Sequence, residues 1–267
     1  MAQFSVEIIT SIKNPKIQLV RDLLASRKSR EEQNSCVIEG VRLAEEAVKA
    51  GVVVQMVIYS ESCSARGLEL VATLNASSVS LIKVPDDLMT KISATETDQG
   101  LLLVVEPILN SLPAQLDFVL ILDEIKDPGN MGTILRTAAA AGVQLVITTP
   151  GCVDVYSPKV LRAGMGAHFT LPILTQTWDE ITNLWNVQPG SPGLYLAESS
   201  QGKKIWDIDL TRPMGIIVGG EANGASAEAK KFATEFVTIP MPGKSESINA
   251  AIAAGIFLFE VVRQRSV

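Results

Sequence analysis

Histidine and cysteine are scarce in this chain of 267 residues, which has one histidine and three cysteines. The cysteines are scattered singly, without a C-x-x-C pair or a neighbouring histidine, so the sequence predicts neither a disulfide framework nor a metal site. Activation of a nucleophile by histidine would require His168, and we expect a structural role for that residue. The thiols of Cys36, Cys63 and Cys152 are expected to be reduced and buried.

Long apolar runs and a secretory signal are also missing. Apolar residues make up 47% of the chain, yet no stretch approaches the roughly 18 uninterrupted apolar residues of a membrane-spanning helix. Residues 1–16 do not combine a basic segment, an apolar run and a small-residue cleavage site. We therefore expect a soluble protein of the cytoplasm with no membrane partner.

The order of the predicted elements favours two α/β domains. Up to Glu106, strands alternate with helices, including helices near 66–75 and 85–93, as in a small α/β sandwich. The proline-containing segment 107–114 breaks this pattern and is the expected linker. Beyond it, apolar runs separated by helices predict a parallel sheet that is buried on both faces, from the strands DFVLILDEI, VQLVITT, GLYLAES, MGIIVGG and EFVTIP. The expected division is residues 1–106, 107–114 and 115–267.

Charge is unevenly distributed along the chain. The net charge is −6, but residues 1–30 hold six basic residues against Glu7 and Asp22, which gives +4 there and leaves −10 for the rest. A helix is predicted from Asn14 to about Arg30, with Asn14 as its cap and Pro15 in its first turn. The basic arm favours contact with phosphates, and a solvated amphipathic helix is the alternative. The candidate contacts are Lys13, Lys16, Arg27, Lys28, Arg30 and, further along the chain, Arg42.

Two segments that follow predicted strands of the second domain carry unusual residues, and parallel strands bring such segments to one edge of a sheet. In DEIKDPGNMGTILRTAAAAGV (123–143), Asn130 is the expected helix cap, and Gly132 would leave room for a ligand beside Arg136, one turn further on. In IIVGGEANGAS (216–226), glycines surround the single acid Glu221, which suits a polar cofactor. A solvated turn is the alternative, and the dinucleotide fingerprint G-x-G-x-x-G is absent.

A third segment, VTIPMPGKSESINAAIAAGIFLFEVVRQR (237–265), leads from a strand into a long helix. Ser247 is expected to cap that helix, with Asn249 in its first turn. Taken alone, Ser247 fits a cap better than a catalytic role. The alanine-rich face of the helix allows close backbone approach, either within the domain or between subunits.

The segments DPGNMGTILRTAAAAGV, SPKVLRAGMGAHFTLPI, VGGEANGAS and IPMPGKSESINAAIAAGIFLFE together resemble the ordered motifs of the SpoU (TrmH-like) family of RNA ribose 2′-O-methyltransferases, in the SPOUT superfamily. The resemblance runs from about residue 115 to the end of the chain. The front half, with ITSIKNPKIQLVRDLL and VIEGVRLAEEAV, resembles the RNA-binding domain that precedes the catalytic domain in this family. Two positions depart from the common pattern: Ala222 and Asn223 precede Gly224 where many relatives have glycine, and Gly164 replaces a frequent serine.

The resemblance implies a catalytic domain with a deep trefoil knot, S-adenosylmethionine as cofactor, structured RNA (rRNA or tRNA) as substrate, and an active site at a homodimer interface. The functional positions that it implies are Asn130, Arg136, Glu221, Ser247 and Asn249. The implied cofactor contacts are Thr148, Thr149, Pro150, Gly219, Gly220, Ile239, Met241 and Ile248.

Two roles for Arg136 follow from the resemblance. The guanidinium can bind a phosphate and stabilise a developing alkoxide, or it can accept the proton; we favour the first role because arginine stays protonated in proteins. The alternative function is a non-catalytic RNA-binding protein that retains the fold. A nucleotide-dependent oxidoreductase would need the phosphate fingerprint that is missing.

Overall fold

The computed structural model describes residues 6–75, 79–95, 98–107, 112, 114–221, 223–244 and 246–266. The chain forms two compact units: Met1–Ile108 with Tyr156–Phe169, and Leu109–Val155 with Thr170–Val267. The segment Tyr156–Phe169, which the sequence-based division places in the second domain, belongs to the first unit. Most of the expected linker lies outside the described residues, so the division at 107–114 stays a prediction.

The first unit contains a five-stranded mixed sheet. Its strands are β1 (Glu7–Ile8), β2 (Cys36–Glu39), β3 (Val54–Tyr59), β4 (Ser80–Lys83) and β5 (Leu101–Val105). Its helices up to residue 92 are α1 (Pro15–Ala25), α2 (Arg27–Gln33), α3 (Val41–Lys49), α4 (Ala65–Asn75) and α5 (Asp86–Ile92). The strand order is β1-β4-β3-β5-β2, and β5 is antiparallel to both of its neighbours.

Both faces of this sheet are buried because alternate strand residues enter two separate cores. Ile38 and Leu103 pack with α3 and α4 on one face, whereas Val37 and Leu102 pack with α1 and α5 on the other. Leu161, from the inserted segment Tyr156–Phe169, lies in the first of these cores. The inserted segment is therefore part of the hydrophobic core of the first unit.

The single helix predicted from Asn14 to about Arg30 is wrong, because Ser26 separates α1 from α2. The backbone of Ser26 is extended, and its side chain accepts a hydrogen bond from the N–H of Ser29 at 3.3 Å, so it caps α2. The predicted cap of α1 is confirmed, since the Asn14 side chain accepts from the N–H of Lys16 at 2.9 Å.

The second unit contains a parallel sheet. The strands are β6 (Phe118–Asp123), β7 (Leu145–Thr148), β8 (Ile173–Thr175), β9 (Gly193–Glu198), β10 (Lys203–Lys204), β11 (Met214–Gly219) and β12 (Glu235–Thr238). The helices after residue 127 are α6 (Pro128–Ala140), α7 (Pro158–Gly164, in the first unit), α8 (Trp178–Asn186), α9 (Ala227–Phe232) and α10 (Ala250–Arg265). The order is β10-β12-β9-β11-β6-β7-β8, and every adjacent pair is parallel.

The five predicted strands of this sheet are confirmed as β6, β7, β9, β11 and β12. The edge strands β8 and β10 were not predicted, because two or three residues carry no readable periodicity. Helices α8 and α9 cover one face of the sheet, and α10 packs with α6 and the strands on the other. Parallel pairing brings the carboxyl ends of the strands to one edge. The trefoil knot stays a prediction.

The three cysteines are buried, as the sequence predicts, and the structure places none of them in a disulfide. Burial raises the pKa of the Cys63 and Cys152 thiols, so both stay protonated at neutral pH. His168 is buried in the inserted segment, with its ring 5.9 Å from that of Tyr156. In the described parts of the chain, no helix is long and apolar enough to cross a membrane; a cytoplasmic location stays a prediction.

The end of α10 is tied to the sheet by Arg265. Its guanidinium donates to the carboxylate of Asp117 at 2.7 Å and to the carbonyl oxygens of Leu210 and Arg212 at 3.1 and 2.8 Å. It also lies 5.3 Å from the ring centroid of Phe118. A planar guanidinium can donate in several directions at once, whereas a lysine ammonium cannot reproduce this set of contacts.

Arg265→Lys is expected to lower the free energy of unfolding by roughly 1–3 kcal/mol, because carbonyl oxygens lose their donor while the charge is kept. The matched control is Arg212→Lys, whose side chain is 85% exposed and lies 3.5 Å from Asp209. The control should change stability by less than about 0.5 kcal/mol. Chemical denaturation followed by circular dichroism measures both variants, and equal effects would contradict the role given to Arg265.

Candidate active site

A cavity of about 520 Å³ lies at the carboxyl edge of the parallel sheet. The segments that follow β9, β11 and β12 line it, together with the start of α10. Its volume falls within the roughly 300–1,000 Å³ of small-molecule sites. Among the residues predicted from the sequence, the cavity is lined by Gly219, Gly220, Glu221, Ile239, Met241, Ser247, Ile248 and Asn249.

Three predicted residues from separate segments are joined by hydrogen bonds beside this cavity. Asn130 Nδ2 donates to Glu221 Oε1 at 2.6 Å, and Asn249 Nδ2 donates to Asn130 Oδ1 at 3.0 Å. Asn249 Oδ1 in turn accepts from the N–H groups of Ala251 and Ile252 at 2.8 and 3.3 Å. Each carboxamide is thus oriented by a partner at both ends. This three-residue group is called the polar triad below.

The two helix caps expected from the sequence are wrong. Asp127, not Asn130, caps α6, since its carboxylate accepts from the N–H of Asn130 at 2.7 Å. Asn249, not Ser247, caps α10, and Ser247 is exposed. A cap must accept from an N–H two or three residues further on, and several polar residues near each helix start could do so. The correction leaves the Asn130 side chain available for Glu221.

The structure does not bring Arg136 to the polar triad of its own chain. Arg136 is exposed, and in the described portion of the chain its guanidinium makes no ion pair or hydrogen bond. Six residues of α-helix separate it from Asn130, which corresponds to about 9 Å along the axis and about 120° around it. Gly132, expected to leave room for a ligand, is buried within α6 instead.

The segment at Thr148, Thr149 and Pro150 does not line the cavity. The Thr148 hydroxyl hydrogen-bonds that of Thr175 at 3.0 Å, and the Thr149 hydroxyl accepts from the N–H of Glu124 at 3.2 Å. Both threonines are buried, and Pro150 is exposed. The cofactor contacts expected at this segment stay a prediction.

Gly219 and Gly220 line the cavity, and neighbouring backbone atoms leave no space for a side chain at either position. A Cβ atom at Gly219 would overlap the backbone nitrogen of Ala225, and one at Gly220 would overlap the carbonyl oxygen of Glu124. The loop that they begin closes by a bridge between Gly220 and Gly224, whose φ of +67° favours glycine. Ala222, where the sequence departs from the family pattern, lies outside the described residues.

Sequence reasoning did not identify Asp123, which ends β6 and is 1% exposed. Its two carboxylate oxygens accept from Trp178 Nε1 at 3.2 Å and from the N–H of Ser226 at 2.7 Å. Because Ser226 caps α9, this carboxylate ties the segment after β11 to the end of β6. The sequence feature that could have identified Asp123 is its position directly after the apolar run FVLIL.

Arg30 has a structural role that corrects its expected place among RNA contacts. Its side chain is buried, and the guanidinium donates to the carbonyl oxygens of Leu23 and Leu24 at the end of α1. Lys13 and Arg42 are exposed, and neither makes an ion pair with any residue that the structure describes.

The other three candidate contacts are exposed or half-buried and are paired with acids. Glu7 lies 2.6 Å from Lys16, Glu31 lies 2.7 Å from Arg27, and Glu32 lies 3.7 Å from Lys28. A charge count that stops at residue 30 omits Glu31 and Glu32, so the arm is less basic than that count suggests.

Asn130→Asp is expected to weaken the polar triad, because a carboxylate would face Glu221 where an amide now donates. Glu221→Gln alone should be nearly neutral, since its amide oxygen can still accept. Combining the two changes lets the new amide donate to the new carboxylate, so we expect a favourable coupling of about 0.5–1 kcal/mol in a double-mutant cycle of unfolding free energies.

The pH dependence of Asn130→Asp has a definite sign. Repulsion requires both carboxylates to be ionised, so the destabilisation should be largest at neutral pH and should diminish as the pH falls and a carboxylate is protonated. Additive effects of the two substitutions, with no pH dependence, would show that Asn130 and Glu221 do not interact in solution.

Two family models match separate parts of the chain. The model of the SpoU rRNA Methylase family matches residues 117–259, and that of the MRM3-like substrate binding domain matches residues 14–103. An uncharacterized tRNA/rRNA methyltransferase of Synechocystis sp. is 34% identical over 96% of this chain and 94% of its own. The 23S rRNA (guanosine(2553)-2′-O)-methyltransferase RlmP of Bacillus subtilis is 29% identical over 95% of this chain and 98% of its own.

A solved structure matches over both units. The crystal structure of the SpoU methyltransferase AviRb from Streptomyces viridochromogenes, in complex with AdoMet, has a TM-score of 0.87 and 29% identity, covering 95% of this chain and 99% of its own. The match confirms the predicted α/β architecture with a parallel-sheet domain. By sequence and by fold, this chain belongs to the SpoU rRNA methylase family.

Proposed function

We propose that this protein transfers a methyl group from S-adenosylmethionine to a ribose 2′-hydroxyl of structured RNA, with rRNA the favoured substrate. The observation that carries the proposal is the cavity at the sheet edge, which has the polar triad beside it. The relatives support it, because RlmP is named as an rRNA 2′-O-methyltransferase and AviRb was crystallised with AdoMet.

The cavity suits a ligand with both apolar and polar parts. Ile239, Met241 and Phe257 supply apolar walls for a purine ring, and Glu221 and Asn249 supply polar atoms. When bound, S-adenosylmethionine supplies an activated methyl group on a positively charged sulfur. The chain's own residues hold this cofactor and orient it towards the RNA.

Methyl transfer to a hydroxyl is an in-line displacement, so positioning contributes much of the rate. The Asn130 carboxamide, held by Glu221 and Asn249, orients the target ribose. Ser247 shapes the same cavity from the segment before α10. Arg136 binds the target phosphate and stabilises the negative charge that develops on the 2′-oxygen, whose proton passes to solvent water because arginine stays protonated.

Arg136 reaches this site from a second copy of the chain, because it does not reach the polar triad of its own chain. A homodimer is supported by an exposed apolar face on α10, where Ile252 and Phe259 are 58% and 49% exposed. These residues lie seven apart and therefore on the same face of the helix. Burying them between two copies would remove apolar surface from water.

The first unit contacts the RNA backbone through exposed cations. Lys13 and Arg42 are available without breaking an ion pair of the described residues. Lys16, Arg27 and Lys28 can exchange their partly exposed carboxylate partners for phosphates, because surface ion pairs contribute little free energy. Arg30 is left out of this proposed surface.

S-adenosylhomocysteine should bind the full-length protein without RNA, as measured by calorimetry. Ala253→Leu should weaken binding at least about tenfold, because the added carbons enter the cavity that Ala253 lines. Ala72→Leu, on the exposed face of α4 in the other unit, is the matched control and should bind normally. Absence of binding to folded wild-type protein would contradict the cofactor assignment and favour a non-catalytic RNA-binding protein.

Arg136→Ala and Arg136→Lys should both reduce single-turnover methyl transfer by about 10²-fold or more, because an ammonium cannot hold phosphate and hydroxyl oxygens together.

Mixing Arg136→Ala protein with Glu221→Ala protein tests the partner arrangement. Random exchange of subunits would restore about a quarter of wild-type activity, since half of the dimers gain one complete site of two. If verified subunit exchange restores no activity, the partner arrangement is wrong. Arg136 and Glu221 would then act in one site of the same chain, or one of them would not belong to the active site.

A further inference from the structure

Glu198, the last residue of β9, is one of the residues that line the cavity, and neither the family resemblance nor any sequence motif gives it a role. Its side chain is only 15% exposed, and its cationic neighbour, Lys230 Nζ, lies 3.7 Å away, beyond hydrogen-bond distance. Within the described residues, no hydrogen bond reaches this carboxylate. A carboxylate can accept about four hydrogen bonds, and leaving a shielded one without donors costs free energy.

The register of the sheet places Glu198 between two segments that the family resemblance implies in cofactor binding. Glu198 pairs with Thr238 of β12, whose continuation carries Ile239. On its other side, Ala197 pairs with Val218 of β11, so Glu198 is level with Gly219. The unused acceptor therefore lies between the segment that follows β11 and the segment that follows β12.

The chemistry of the cavity changes across this sheet edge. Towards β12 the wall is apolar, with Ile239 and Met241; towards β11 and β6 it carries Glu221 and its partner Asn130. In S-adenosylmethionine, the ribose connects the purine to the sulfur that carries the methyl group. A purine on the apolar wall and a methyl group near the polar triad leave the ribose in the middle, beside Glu198.

We infer that the Glu198 carboxylate accepts hydrogen bonds from the ribose hydroxyls of the cofactor, which would make it a cofactor-binding residue. This inference rests on the proposed function. Lys230 neutralises part of the charge without occupying the acceptor positions of the carboxylate. Its own side chain is 44% exposed, so its ion pair is partly screened by solvent.

Calorimetry on the full-length protein tests the inference with two ligands. Glu198→Gln should weaken S-adenosylhomocysteine and 5′-methylthioadenosine by similar factors of roughly tenfold to hundredfold, because both ligands carry the ribose and lose a charged acceptor. The two ligands differ in the amino-acid portion, which 5′-methylthioadenosine lacks. A loss confined to S-adenosylhomocysteine would place the carboxylate at the amino-acid portion and overturn the ribose assignment.

A third ligand tests the contact on wild-type protein. The analogue of S-adenosylhomocysteine without its 2′- and 3′-hydroxyls should bind wild-type protein more weakly than S-adenosylhomocysteine. Glu198→Gln should weaken that analogue little further, which shows coupling between the carboxylate and the hydroxyls. If Glu198→Gln weakens binding of the analogue by the same factor as binding of S-adenosylhomocysteine, the inference is overturned.

Two variants separate this contact from a structural effect. Lys230→Gln removes the ion pair and keeps the carboxylate, so it should retain most of the affinity; a full loss would assign the effect to the ion pair and overturn the inference. Glu228→Gln, an exposed acid on α9, is the matched control and should bind normally. Wild-type protein that binds no S-adenosylhomocysteine would overturn the proposed function itself, whereas wild-type binding with unchanged affinity in Glu198→Gln would overturn only this inference.

Discussion

The parallel pairing of β11 between β6 and β9 is the constraint on which the candidate site depends. It brings the segments that carry Asn130, Glu198 and Glu221 to one edge of the sheet, although they are far apart in sequence. Asp123 reinforces this edge by accepting from the N–H of Ser226 at 2.7 Å. Gly220 allows the backbone after β11 to pass close to the end of β6, where any Cβ atom would overlap. The cavity follows from these backbone constraints, and the polar triad is added to it by side chains.

The composition of the first unit affects how the protein can be dissected. Residues Tyr156–Phe169 interrupt the second unit in sequence and contribute Leu161 and Phe169 to the core of the first unit. A fragment beginning near residue 107 would expose these apolar side chains, and a fragment ending there would leave a gap in its core. Ligand binding should therefore be measured with the full-length protein.

Much of the fold could be predicted because its signals are local. Continuous apolar runs identified β6, β7, β9, β11 and β12, and the ordered motifs identified the segments at their carboxyl ends. The segments at Glu221, Ile239 and Ser247 line one cavity. Thr148 and Thr149 do not line it, and their hydroxyls form hydrogen bonds with other parts of the protein. The catalytic and binding roles of all these residues remain proposals.

The remainder depended on contacts that the sequence does not display. Which polar residue caps a helix depends on the backbone around it, so Asp127 and Asn249 could not be chosen over their neighbours. The sequence predicted Arg30 as a surface cation because it did not show the break between α1 and α2. In the structure, the Arg30 guanidinium donates to backbone carbonyl oxygens. Glu198 belongs to no motif that the sequence displays, and only the sheet register shows that it lies between the segments that follow β11 and β12.

The position of the transferred methyl group tests the central claim most directly. RNA incubated with the protein and S-adenosylmethionine carrying a deuterated methyl group can be digested to nucleosides and analysed by mass spectrometry, with alkaline cleavage as an independent check. We predict a labelled nucleoside with the methyl group on the ribose 2′-oxygen, at a position that resists alkaline cleavage because the neighbouring phosphate has lost its internal nucleophile. A labelled methyl group on a base, or no transfer by protein that binds the cofactor and the RNA, would contradict the proposed function.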